Sequence, residues 1–500
     1  MLPEESNITR DKIDLICATI QDLYTADDRP WIIGFSGGKD STTVLHLIWM
    51  ALSQLSLSKL KKKIYCISSD TYVEMPLIEK YLHSKIDHLN RSAALSEIPI
   101  EAYTVTPDVD ETFWVNLIGR GYPAPYRNFR WCTDRMKIKP TSRFIKDKIA
   151  VHGDVVIALG VRRDESSARA SSMQAERTTE DGKKIGRKII SKYVSQHKDL
   201  PSASVFSPIE DWTTEEVWEF LDKHDAPWGG DHSELKILYR NAQKADDDGE
   251  DELAEKTFGN SRFGCWTCTV VQNDISMEAT VLKEGNAWMM PLLKFRDWLT
   301  TTQDPEKKGD IREFRRRTGN VQTWTDADGK KSIIWGPYTF QFRKIILRKL
   351  LQAQTQARLL KGDLELELIR RDELLAIRQL WRCEEGDWGD SFKQIYKDEV
   401  GVDLDAPRDD WSGMGVTEHN ILRDVCEKHE LPVGLLTDLF AMEQRYNGMS
   451  RRSKIFDNVH SILKKDWRTR DEVFAEIARQ NSEQQTGIGD LVHAAEKNNS

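Results

Sequence analysis

The chain has 500 residues, of which 39% are apolar and 31% charged, with 72 Lys plus Arg against 81 Asp plus Glu and a formal charge of −9. That length exceeds one ordinary hydrophobic core and predicts two or three domains, and the balance excludes a disordered chain or one that coats nucleic acid over its whole surface. Apolar runs such as Trp31 to Phe35 and Val155 to Val161 are far too short to span a bilayer, the opening MLPEESNITRDK is unlike a signal peptide, and seven unevenly placed cysteines make no disulfide framework. A cytoplasmic protein with no membrane partner is the expectation.

Residues 8 to 24 read as an amphipathic helix with Ile13, Ile16, Ile20 and Leu23 on one side, and residues 1–30 are assigned to this N-terminal helix. From 31 to about 210, strand-like runs alternate with helical ones: WIIGF, a helix, KIYCISSD, a helix from Pro76 to about His88, IEAYTVTP, a helix near 137 to 149, and DVVIALGV. The alternation predicts an α/β fold, a doubly wound, mostly parallel sheet whose ligands bind beyond the carboxyl ends of the strands. The loop after the first strand, SSDTYVEMP after the second and GVRRDESSAR after a later one fall at that edge. Residues 171 to 200 form a polar excursion over the site. Thr213 and Glu216 then make a capping box ahead of a helix with Val217, Phe220 and Leu221. The acidic run KADDDGEDELAEK is a solvated loop that precedes FGNSRFGCWTCTVV, and beyond about residue 290 the pattern is mainly helical. The domain plan is therefore 31–290 for the α/β part with its Cys-x-x-Cys element, and 291–500 for the helical part.

In WIIGFSGGKDSTTVLHLIW, residues 31–49, a buried strand breaks into Ser36-Gly37-Gly38-Lys39-Asp40-Ser41 and resumes as a helix carrying Val44, Leu45, Leu47 and Ile48. Unpaired N–H groups and the positive end of the helix dipole converge there, and the two glycines leave an oxyanion room to approach. Only three residues separate Gly34 from Gly38, and Asp40 rather than Ser or Thr follows the Lys, so this is not the common ATP loop. It resembles the PP-loop signature of the ATP pyrophosphatase superfamily, whose members grip the β and γ phosphates as leaving pyrophosphate while attack falls on the α phosphorus. SGGKDST, SSDTYVEMP, RWCTDRMKIKP, GVRRDESSAR and PIEDWTTEEVWEFL, in this order, resemble the phosphoadenosine phosphosulfate reductase branch of that superfamily over residues 30 to about 270. Within the branch, the length, FGCWTC and the basic helical part are most similar to the DndC family of DNA phosphorothioation sulfurtransferases and its SspD counterparts.

The resemblance implies ATP and magnesium as ligands, with Ser36, Lys39, Asp40, Arg162 and Arg163 as catalytic residues. Gly37, Gly38, Ser41, Ser69, Asp70, Thr71, Gly160 and Arg169 complete the ATP site, Asp70 and Thr71 meeting the nucleoside. Arginine offers phosphate a planar fork of donors, and Asp164 and Glu165 are expected to orient the arginines, or one of them to help hold magnesium. Cys132, Cys265 and Cys268 are one thiolate short of a closed site. RNA-thiolating relatives use such a trio to hold a 4Fe-4S cluster with one iron open, which is the preferred reading; structural zinc or a cluster completed by another residue competes with it. Cys66 and Cys17 read as core residues, while Cys383 and Cys426 are unassigned.

Residues 291 to 360 hold 15 Lys plus Arg against 7 Asp plus Glu, a local balance of +8. Arg315, Arg316 and Arg317, with Arg343, Lys344, Arg348 and Lys349, are candidate contacts to nucleic acid, against a solvated face as the alternative. In the helix FRKIILRKLL, Ile345, Ile346, Leu347, Leu350 and Leu351 are expected inward and the four basic residues outward. The function expected is adenylation of a DNA backbone oxygen followed by sulfur transfer, with DNA, a cysteine desulfurase as sulfur donor and other DNA phosphorothioation proteins as partners. RNA thiolation and sulfonucleotide reduction are the alternatives. Reduction calls for a nucleophilic cysteine on a C-terminal tail, and LVHAAEKNNS supplies none.

Overall fold

The computed structural model describes residues 8–163, 190–241, 264–406, 415–446 and 453–497. The chain divides into two compact units, one of residues 1–113 and 127–293, the other of residues 114–126 and 294–500.

The first unit is built on a six-stranded sheet of order β3-β2-β1-β4-β6-β5, with β1 Trp31–Gly34, β2 Ile64–Ser69, β3 Ile100–Val105, β4 Val155–Ala158, β5 Val194–Gln196 and β6 Ala203–Phe206. All pairings are parallel except β5 on β6. The doubly wound expectation is therefore met. Two-fold periodicity explains why WII is apolar throughout: Trp31 packs edge-on against Tyr24 of helix α1, Arg10–Thr25, at 5.8 Å between centroids, while Ile32 joins the cluster of Tyr65, Ile67, Val105 and Ile157 on the opposite face. Helix α2, Lys39–Ser53, follows β1; α3, Pro76–Leu95, follows β2; and α4, Lys139–His152, lays Ile145 into that same cluster. Helix α5, Thr214–Lys223, opens with the expected capping box of Thr213 and Glu216, and α6 runs Ser233–Asn241. Because β1, β2 and β4 are parallel neighbours, their carboxyl ends and the loops that follow share one edge.

In the second unit a hairpin of β7, Thr323–Thr325, and β8, Lys331–Ile333, precedes α7, Phe340–Lys361. Helices α8, Arg371–Glu384, α9, Ser391–Val400, α10, Val416–Lys428, α11, Val433–Tyr446, α12, Ile455–Leu463, and α13, Arg470–Lys497, follow. Residues 114–126 are packed into this unit although they lie between β3 and Cys132 in sequence. Trp114 donates its indole N–H to the Leu368 carbonyl at 2.6 Å, and Trp381 donates to the Ile118 carbonyl at 2.9 Å. Two expectations for α7 are corrected: Arg343 is only 2% exposed, whereas Ile345 is 45% exposed. The guanidinium of Arg343 is turned inward because it donates to the Gly119 carbonyl at 2.6 Å and pairs with Glu385 at 2.6 Å. Among the described residues no helix is long and apolar enough to cross a membrane.

Candidate nucleotide and thiol site

The loop after β1 turns through Gly37, whose φ of +71° lies in the left-handed region. A Cβ there would stand 2.4 Å from Leu82 Cδ2. Gly38 is the N-cap of α2 in extended conformation and carries no side-chain cap. The hydroxyls of Ser36 and Ser41 lie 3.1 Å apart, and Ser41 Oγ also accepts from the Ser36 N–H at 3.2 Å. The two serines thus pin the loop across its mouth. Tyr239 of α6 accepts the Lys39 N–H at 3.2 Å.

Lys39 and Asp40 form the charged floor. Lys39 Nζ stands 3.1 Å from Asp40 Oδ2, and Asp40 Oδ1 accepts from Arg162 Nε at 2.6 Å. Arg162 is buried, and its other donors reach the Trp212 carbonyl at 3.3 Å and Thr214 Oγ1 at 3.2 Å. Arg163 donates from Nε to Glu210 at 2.7 Å and pairs with Asp211 at 3.2 Å. The described carboxylates that orient the two arginines are therefore Asp40, Glu210 and Asp211. Asp164, Glu165 and Arg169 lie outside the described residues. Gly160 lets the strand-end backbone of β4 press on the loop, since a Cβ there would fall 2.7 Å from the Asp40 carbonyl carbon and 2.9 Å from Ser41 N.

At the end of β2, Asp70 accepts the Tyr72 N–H at 2.8 Å and meets His83 Nε2 at 3.2 Å, while Tyr72 takes a φ of +61°. Ser69 Oγ lies 3.3 Å from Thr141 Oγ1. Thr71, fully buried, donates to Glu74 Oε1 at 2.9 Å and stands 3.5 Å from Cys265 Sγ. Glu74 and Cys265 also pair as an isolated antiparallel bridge, and Trp266 N–H bonds the Val73 carbonyl at 3.0 Å. Lys137 Nζ reaches Glu74 Oε1 at 3.3 Å. Burial, and next Glu74, push the Cys265 thiol up to about 12. Cys132 is raised by burial and then by Cys268, and Lys137 is raised chiefly by Cys265. The three cysteines thus share one electrostatic neighbourhood at the edge that carries the anion loop.

A trio of thiols suits thiophilic iron in kind. Among the described residues, however, no three His, Cys, Asp or Glu side chains converge at metal-holding spacing. Cys66 is buried in β2 and Cys17 in α1, as expected of core residues. Tyr239, Glu74 and Lys137 were missed as candidates. The last two sit inside quoted motifs, SSDTYVEMP and RWCTDRMK, but their partners are brought to them only by folding.

Residues 30–271 match the family model for the phosphoadenosine phosphosulfate reductase domain. That match covers just under half of the chain, and over it the chain is similar to this family. A second match, over residues 417–464, is to the family described as a small protein found in certain Dnd DNA modification systems. The chain is similar to an uncharacterized protein of Methanocaldococcus jannaschii, 26% identical over 51% of this chain and 39% of that protein, so it spans about two-fifths of that relative's length. Among solved structures it is similar to a phosphoadenylyl-sulfate reductase from Candida auris at 13% identity, covering 48% of this chain and 97% of that one with a TM-score of 0.27. It is likewise similar to a U34-tRNA thiolase from Methanococcus maripaludis, described with its 4Fe-4S cluster, at 13% identity, covering 60% and 83% with a TM-score of 0.27.

Proposed function

We propose that this chain is a DndC-like ATP pyrophosphatase and sulfurtransferase of DNA phosphorothioation. The observation that carries the reading is that Cys265 stands 3.5 Å from Thr71 at the end of β2, the parallel neighbour of the strand that leads into Ser36–Ser41, and shares electrostatic surroundings with Cys132. DNA is favoured as acceptor by the match of residues 417–464 to a family of Dnd modification systems.

A non-bridging oxygen of a DNA phosphodiester attacks the α phosphorus of ATP, pyrophosphate leaves, and the DNA phosphate carries AMP. A sulfide-level nucleophile then displaces AMP from the DNA phosphorus and leaves sulfur in its place. The loop amides and Lys39 hold the β and γ phosphates, Asp40 holds Lys39 and Arg162 in register, and Ser69, Asp70 and Thr71 meet the nucleoside. Magnesium neutralises charge on the phosphates. Cys132, Cys265 and Cys268, each partly buried, are the residues that would hold a 4Fe-4S cluster, whose chemistry when bound would be to keep sulfur at hand. A cysteine desulfurase supplies that sulfur as a persulfide, which a dithiol reductant brings to the sulfide level as it is oxidised to the disulfide, and other proteins of the Dnd system act with this one in the cytoplasm.

Two measurements test the proposal. Purified protein with ATP, magnesium and DNA is expected to release AMP and pyrophosphate; ADP and orthophosphate as main products would sink it. Mass spectrometry of nuclease digests from cells with and without the gene is expected to find sulfur in DNA. Sulfur lost from RNA alone would move the acceptor to RNA.

A further inference from the structure

The second unit contains a cleft of about 720 Å³, a volume typical of small-ligand sites. Arg315, Arg316, Tyr446, Ser461 and Trp467 are among the residues that line it. Tyr446 and Ser461 belong to α11 and α12, which fall within the segment that matches the Dnd small-protein family.

The cleft is also lined by carboxylates, and charge bookkeeping decides what it attracts. Arg343 pairs with Glu385 at 2.6 Å, Lys465 with Asp438 at 2.6 Å and Arg317 with Glu384 at 3.6 Å. Asp466 is held by Arg468, and burial raises the Glu313 carboxyl. Arg315 and Arg316 differ. Arg315 donates to the Arg468 carbonyl and Arg316 to the Trp335 carbonyl at 2.8 Å, contacts that orient a guanidinium without neutralising it. Among the described residues neither has a carboxylate within ion-pair distance, although Asp466 and Glu313 act on Arg315 at longer range, and the buried Nε of Arg315 has no hydrogen-bond partner. Arg343, nine-tenths or more buried at the same cleft, likewise has an unpartnered Nε. Positive charge, unpartnered guanidinium donors and two aromatic rings thus line one cleft. Guanidinium forks suit phosphate oxygens, and aromatic rings suit a base.

We propose that this cleft binds a nucleoside phosphate, with Arg315 and Arg316 on the phosphate and Tyr446 and Trp467 beside the base, delivered by a single DNA strand. The proposal deepens the nucleic-acid reading above and rests on it for the identity of the strand. The volume excludes a duplex and admits a nucleotide drawn out of one. The remaining basic residues of α7 are used otherwise: Lys344 lies over Phe340 at 4.2 Å, Lys349 over Trp298 at 5.0 Å, and Arg348 is 3.7 Å from Glu399.

The test is fluorescence anisotropy of the full chain with a labelled eight-nucleotide oligothymidylate, competed by dTMP, across a salt series. Arg315→Ala with Arg316→Ala is expected to weaken oligonucleotide binding at least tenfold and to flatten the log–log salt slope by about 0.7 per lost phosphate contact on a single strand. Because those arginines also hold backbone carbonyls, a second variant removes no charge: Ser461→Trp, at an exposed position on α12, fills the mouth of the cleft and is expected to weaken binding similarly with an unchanged melting temperature. Binding of the oligonucleotide without competition by dTMP assigns the site to a strand. Competition by dTMP at comparable affinity assigns it to a free nucleotide and overturns the strand. Wild-type affinity in both variants, or loss in the arginine variant alone, overturns the cleft. Release of AMP and pyrophosphate by the wild type is read separately, so failure of the cleft and failure of the proposed function are distinguishable.

Discussion

Asp40 is the residue through which the anion loop, Lys39 and the distant Arg162 are tied together. Asp40→Asn keeps the side chain's shape but removes the carboxylate that pairs with the buried Arg162 at 2.6 Å, so we expect a loss of about 3 kcal/mol in stability by denaturant titration. Pyrophosphate release should fall at least about a hundredfold, the scale on which one preorganised electrostatic group acts; retained activity would remove Asp40 from the proposed machinery. Gly160→Ala tests the backbone contact: with its Cβ 2.7 Å from the Asp40 carbonyl carbon, either strand or loop must shift. About 1–3 kcal/mol of overpacking is expected, together with a rise in KM for ATP. The strand–turn–helix form of the Ser36–Ser41 loop was legible because it depends on neighbouring residues. Arg162 was legible as an arginine at a strand end, but not its direction, since Asp40, Trp212 and Thr214 are far from it in sequence.

Helix α7 shows where periodicity misassigns a face. Its apolar stripe buries Ile346, Leu347, Leu350 and Leu351 as expected, yet the same side also takes in Arg343 and turns Ile345 out. Arg343→Ala should cost about 3 kcal/mol, because the pair with Glu385 and the bond to the Gly119 carbonyl both go. Ile345→Ala should stay within about 0.5 kcal/mol, as exposed substitutions do. Equal losses in a thermal melt would reverse the assignment. Helix α2 carries a pH dependence. Burial, then His232 and His224, lower His46 to about 3, and burial chiefly lowers His232 to about 4. Both are neutral when folded, so the unfolded chain binds their protons first as pH falls below about 6.5, and stability drops at up to about 1.4 kcal/mol per pH unit for each histidine. The melting temperature should therefore fall from pH 7 to pH 4, and His46→Gln should reduce the slope. An unchanged slope would show that His46 is not held neutral.

At the scale of the molecule, residues 114–126 leave the sequence of the α/β unit and enter the core of the helical one. Trp114, Val115, Leu117 and Ile118 are all fully buried there. A fragment of residues 1–293 would expose these side chains, each worth about 1.5–3 kcal/mol on burial, and we expect it to aggregate. The same fragment with residues 114–126 replaced by a Gly-Ser linker should remain monomeric by size-exclusion chromatography and retain ATP binding. Monomeric behaviour of the unmodified fragment would contradict the assignment.

The alternation of strand and helix, the strand-end loops and the glycine turn after β1 were all settled by local sequence, because period-two and helical apolar patterns and a glycine-rich turn are properties of neighbouring residues. The capping box of Thr213 and Glu216 belongs to the same class. The transfer of residues 114–126 to the second unit, the inward turn of Arg343, the meeting of Glu74 and Lys137 beside Cys265, and the cleft around Arg315 and Arg316 were decided only by tertiary structure. Each depends on partners tens to hundreds of residues away, and a buried charge goes where its counter-charge and carbonyl acceptors stand, which no periodicity of its own segment records.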